Sequence, residues 1–119
     1  MPMPLIYACS GGSDVGELAD RAGRQLARDG LGKMHCLAGV GGDVPGILVN
    51  TRAADTILAI DGCGLQCASQ CLKRAGIETF QHLRLAELGF EKGNAPMTDE
   101  AMSRITEAAR LQLAENGPI

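Results

Sequence analysis

Alternation of short apolar runs with amphipathic segments predicts an α/β fold: a three-layer sandwich around a mainly parallel four-stranded sheet of order 2-1-3-4, Rossmann/flavodoxin-like in plan. Three observations lead there. Runs such as Leu5-Ile6-Tyr7-Ala8 and Thr56-Ile57-Leu58-Ala59-Ile60 contain almost no polar residues, as expected of strands covered on both faces. The segments between them place apolar residues at helical spacing. Each run then breaks into glycine. Parallel strands joined in this way need right-handed crossovers, so helices cover both faces of the sheet. The reversal between strands 1 and 3 marks where a ligand should sit, beyond the carboxyl ends of the strands.

Pro4 to Cys9 reads as the first strand, broken by Ser10-Gly11-Gly12-Ser13. Ser13 is a good N-cap, with Asp14 and Glu17 in the first helical turn. Val15, Leu18, Ala19, Ala22 and Leu26 form the buried stripe of that helix, opposite Asp20, Arg21, Arg24 and Arg28. Gly30 supplies a left-handed cap. Lys33 to Leu37 is expected as the second strand, followed by a glycine-rich turn from Ala38 to Gly46 and a short helix from Pro45 to about Ala54. Residues 56–60 form the third strand. A helix from about Gly64 to Ala75 stops at Gly76, and Ile77 to Leu83 alternates as a fourth strand nearer an edge. Gly89 to Ala95 is a loop. Thr98 caps a last helix whose stripe is Met102, Ile105, Ala109 and Leu113, ending before Gly117-Pro118. The expected organisation is one α/β domain over 1–95, with a C-terminal helix over 96–119 packed on the same domain or at a homodimer interface.

Composition narrows the function. The 119 residues include sixteen glycines but only one tyrosine, two phenylalanines and no tryptophan, so the core must be aliphatic. The net charge of −3 comes with no basic run, which argues against a nucleic-acid partner and a polybasic membrane patch. No apolar run is long enough for a membrane span, and Met1-Pro2-Met3-Pro4 lacks the regions of a signal peptide. The expected compartment is the cytoplasm. Five cysteines in a reducing compartment suggest metal binding or thiol chemistry rather than a disulfide framework.

The cysteines follow one pattern. Cys9, Cys36 and Cys63 each end an expected strand and each is followed by a glycine-rich turn. They should therefore lie at one carboxyl edge, on strands roughly 4.8 Å apart. Cys67 follows Cys63 by about one helical turn and can face the same point. Zinc takes four tetrahedral ligands at about 2.3 Å from sulfur. Cys9, Cys36, Cys63 and Cys67 are the candidate ligands, with Zn²⁺ as the expected cofactor and an iron–sulfur cluster as the alternative. Cys71 reads as core packing or a further thiol. Ser10, Gly11, Gly41, Asp61, Gly62 and Gly64 should shape the site, Asp61 by accepting amide hydrogen bonds from Cys63 or Gly64. His35 is expected on the sheet face opposite Cys36, and the strand end carrying His82 could approach the site. A phosphatase loop of the Cys-x5-Arg type would need arginine where Val15 stands, and the scarcity of aromatics weakens a flavin site. The rival to metal binding is thiol-redox or sulfur-transfer chemistry by a low-pKa cysteine, Cys9 or Cys63 at a helix N-terminus. Neither reading requires an enzyme.

Ala8-Cys9-Ser10-Gly11 with Val15-Gly16, Cys36-Leu37-Ala38-Gly39 with Gly41-Gly42, and Ile60-Asp61-Gly62-Cys63 with Cys67-Ala68 together resemble the DGC-domain family, named for its Asp-Gly-Cys motif. Leu88-Gly89 and Lys92 also fit, so the resemblance spans about Leu5 to Lys92. It implies a zinc-binding protein using four cysteines, which map to Cys9, Cys36, Cys63 and Cys67, and it implies no known reaction.

Overall fold

The structure, a computed structural model, describes residues 3–116. Four parallel strands, β1 (Leu5–Ala8), β2 (Lys33–Met34), β3 (Ile57–Asp61) and β4 (Gln81–Arg84), form one sheet of order β2-β1-β3-β4. The topology is the expected one. Five helices flank the sheet: α1 (Asp14–Arg28), α2 (Leu37–Gly41), α3 (Pro45–Ala53), α4 (Cys67–Arg74) and α5 (Asp99–Asn116).

Period-two side chains divide the core. Ile6, Ala8, Leu58 and Ile60 face α1 and α5, while Tyr7, Ile57 and Ala59 face α4 and the α2–α3 segment. Every residue of β3 is buried, as its unbroken apolar run requires. Helix α1 begins on Ser13, whose hydroxyl accepts the Gly16 amide at 3.1 Å, and Gly30 turns the chain at φ +78. Helix α5 begins on Thr98, whose hydroxyl accepts from Ala101, and sends Ala101, Ile105 and Ala109 into the core beside α1. Its expected stop at Gly117-Pro118 lies outside the described residues.

Three boundaries differ from expectation, each for a local reason. Strand β2 has two residues, because Cys36 leaves the sheet to cap α2: its Sγ accepts the Gly39 amide at 3.3 Å. Helix α4 starts at Cys67, because Gln66 sits at φ +55, a conformation a right-handed helix cannot contain. Strand β4 starts at Gln81 because the preceding residues finish α4, with the Ile77 amide donating back to the Leu72 carbonyl across Gly76 at φ +85. A short 3-10 turn over Leu85–Leu88 follows β4 and was not anticipated.

Candidate functional site

Beyond the carboxyl edge of the sheet, the turn after β3 is tied down from three sides. Asp61, the last residue of β3, is 1% exposed. Its carboxylate accepts the Ala68 and Ser69 amides at 2.8 and 3.1 Å, so it caps α4, and His82 Nε2 on neighbouring β4 lies 2.7 Å from the same carboxylate. These amides replace the Cys63 and Gly64 amides expected from the sequence. Sequence reading also missed the pairing with His82. Its one available signal was the strand register, which places Asp61 beside Arg84 and His82 two residues back on the same face.

Gly62 then passes directly over the start of α1. A Cβ there would lie 2.4 Å from the Val15 carbonyl oxygen, and one on Gly16 would lie 2.7 Å from the Gly11 carbonyl oxygen. Two backbones cross here at a distance that only hydrogen at Cα permits. This is the physical requirement behind the glycine of the Asp-Gly-Cys motif.

Cys9 follows β1, with its amide donating to the Ile60 carbonyl at 3.0 Å. Its sulfur accepts the Gly62 amide at 3.3 Å. Burial pushes the Cys9 thiol up from its ordinary value. Hydrogen bonds from the Gly62 and Gly11 amides pull the other way, and the nearby Asp61 and Cys63 add to the upward shift. The expectation of a low-pKa Cys9 is therefore corrected: burial outweighs the Gly62 and Gly11 amide donors.

The thiols border two adjoining cavities. A cleft of about 480 Å³ is bounded by Cys9, Cys63 and Cys67 together with Gly11, Gly12, Ser13, Asp61, Leu65, Gln66 and Lys92. A second hollow of about 510 Å³ is bounded by Cys9, Cys36, Cys67 and Cys71, with Ser10, His35 and Gly41. Cys9 and Cys67 belong to both. Cys36 and His35 border the same hollow, not opposite sides of the sheet, because Cys36 has turned out of β2. Ser10 adopts φ +50 and donates to Asp20 at 2.8 Å. Cys71 packs against the core beside Gly41, where an added Cβ would lie 3.5 Å from its sulfur. Gly64 is exposed, in the loop between the two thiols of the motif.

The metal expectation fails. Among the described residues, no group of three or more His, Cys, Asp or Glu side chains is arranged to hold a metal ion, and all five cysteines are free thiols. Two of the sulfurs are engaged by backbone amides. Cys36 spends its sulfur on the Gly39 amide at the start of α2, and Cys9 spends its own on Gly62. The sulfurs share a region without forming a tetrahedron. Zinc, the iron–sulfur alternative and a metal-ion partner are withdrawn together, and the zinc role implied by the family resemblance does not fit these residues.

Fold and site together define an α/β protein with a thiol-bordered cleft at the switch point of a parallel sheet. The chain belongs to the DGC domain family, which it matches over residues 5–109, a span that also takes in most of α5. It is similar to the "Anaerobic and virulence modulator AnvM" of Pseudomonas aeruginosa, at 47% identity over 91 residues, covering 76% of this chain and 70% of that protein. No solved structure matches it. Among the described residues no helix is long and apolar enough to cross a membrane.

Proposed function

We propose that this chain is a cytoplasmic regulatory protein controlled by covalent modification of its cleft thiols, without a bound metal. The observation that carries this reading is the gathering of all five free cysteines around two adjoining cavities at the carboxyl edge of the sheet. Reactive cysteines need access as well as thiolate character. Cys67 is exposed and Cys63 half-buried, whereas Cys9 is held as the thiol by burial. Cys63 and Cys67 are the proposed points of modification. Cys9, Cys36 and Cys71 line the space around them, and Ser10, Gly11, Gly41, Asp61, Gly62 and Gly64 shape it. The name of the Pseudomonas aeruginosa relative, a modulator tied to anaerobic conditions, supports a regulatory role that responds to oxidation state. Burial of Ala101, Ile105 and Ala109 supports treating α5 as packed on the same domain as the sheet.

The test is a time course of the native protein with limiting N-ethylmaleimide at neutral pH, followed by peptide mass mapping. Cys67 and Cys63 should label ahead of Cys9. If the native thiols stay unlabelled while all five label after unfolding, the reading is wrong.

A further inference from the structure

Lys92 borders the thiol cleft beside Cys63 and Cys67, and also borders the neighbouring hollow bounded by Gly62, Cys63, Leu65, Phe90 and Glu91. Its backbone is held in place. The Asp14 carboxylate, at the start of α1, accepts the Gly93 amide at 2.9 Å and the Ala95 amide at 3.0 Å, latching the loop that carries Lys92 over the cleft. Gly93 permits the turn at φ +92. These amides hold the Asp14 carboxyl below its ordinary range, so its charge is spent on the loop.

Among the described residues the one carboxylate lining the cleft is Asp61, and its oxygens are engaged by the Ala68 and Ser69 amides and by His82. Lys92 forms no ion pair among the described residues. Among the described residues the cleft thus offers one cation without an ion pair, an apolar side in the exposed Leu65, and sulfur beside both, while Glu91 lines the adjoining hollow and not the cleft. Asp14 is turned to the loop and does not line the cleft.

We propose that the cleft takes a low-molecular-weight disulfide bearing carboxylates, with Lys92 pairing a carboxylate of the ligand while Cys63 exchanges with its disulfide. This rests on the thiol reading above and names the reagent. Cys63 is assigned because it alone among the thiols borders both spaces that Lys92 borders. In the step, Cys63 loses its proton and its sulfur attacks one sulfur of the ligand. The ligand S–S bond breaks as the new S–S bond to Cys63 forms. The departing sulfur leaves with the electron pair, takes up a proton and departs as a free thiol. The ligand disulfide is the oxidant, and Cys63 ends as a mixed disulfide.

The experiment compares rates of mixed-disulfide formation, by intact mass and peptide mapping, for glutathione disulfide and the uncharged bis(2-hydroxyethyl) disulfide. Wild type, Lys92→Gln and Cys63→Ser are measured in low salt. Lys92→Gln should slow the glutathione reaction by about two- to fivefold, the range of an exposed ion pair, and leave the uncharged disulfide within about twofold. Cys63→Ser should remove the principal adduct. Equal slowing of both disulfides, no slowing of either, or an adduct chiefly at another cysteine would overturn the assignment. If neither disulfide modifies the wild type, the thiol reading itself falls, a result distinct from loss of the charge preference alone.

Discussion

The turn after β3 and the turn after β2 use the same residue types, a cysteine among glycines, yet they are built to opposite standards. After β3 the chain is buried at Asp61 and Gly62, capped onto α4, paired to β4 and pressed against α1. After β2, a strand of two residues hands over to a five-residue helix whose cap is the sulfur of an exposed cysteine. The first turn positions its thiols through contacts with three other elements. The second uses its thiol as a local structural atom. A shared sequence pattern therefore conceals two jobs, and only the turn after β3 has the fixed geometry that a reactive site needs.

The contrast can be broken most severely at Gly62. Replacing Gly62 by Ala places a methyl inside the van der Waals envelope of the α1 backbone, which has no flexible side chain to give way. A loss of at least about 3 kcal/mol is expected, and a drop in Tm of roughly 10 °C or more by calorimetry. Asp61→Ala comes next. It leaves two amides at the start of α4 without their acceptor and His82 without its partner. About 2–4 kcal/mol should be lost in urea unfolding. Cys36→Ser is the smallest. Serine caps helices well, so α2 keeps its first hydrogen bond and the change should stay within about 0.5 kcal/mol. A Cys36→Ser variant as damaged as Gly62→Ala would show that the two turns are not so different.

Much of the fold was legible because it depends on one-dimensional signals. The unbroken run at 56–60, the Ser13 and Thr98 caps and the left-handed Gly30 each appear as the residues suggest. The site was legible only in part. That cysteines gather at the carboxyl edge follows from topology. Whether they form a coordination sphere depends on where each sulfur points, and Cys36 and Cys9 both turn toward backbone amides. Gln66 in a left-handed conformation is another such case, because no residue preference announces it and the surrounding turn imposes it. The Asp14 latch joins positions about eighty residues apart, beyond the reach of any local pattern.

Tyr7 gives the molecule a built-in optical probe. It is the only tyrosine in a chain without tryptophan, it is wholly buried, and its hydroxyl meets Thr51 on α3. Its ring stands edge-on to His35, the residue next to Cys36, at 5.7 Å between centroids. All tyrosine emission and phenolic ultraviolet absorption of this protein thus come from a single ring beside His35. A spectrum of the unlabelled protein would report unfolding and events near Cys36 without an introduced dye.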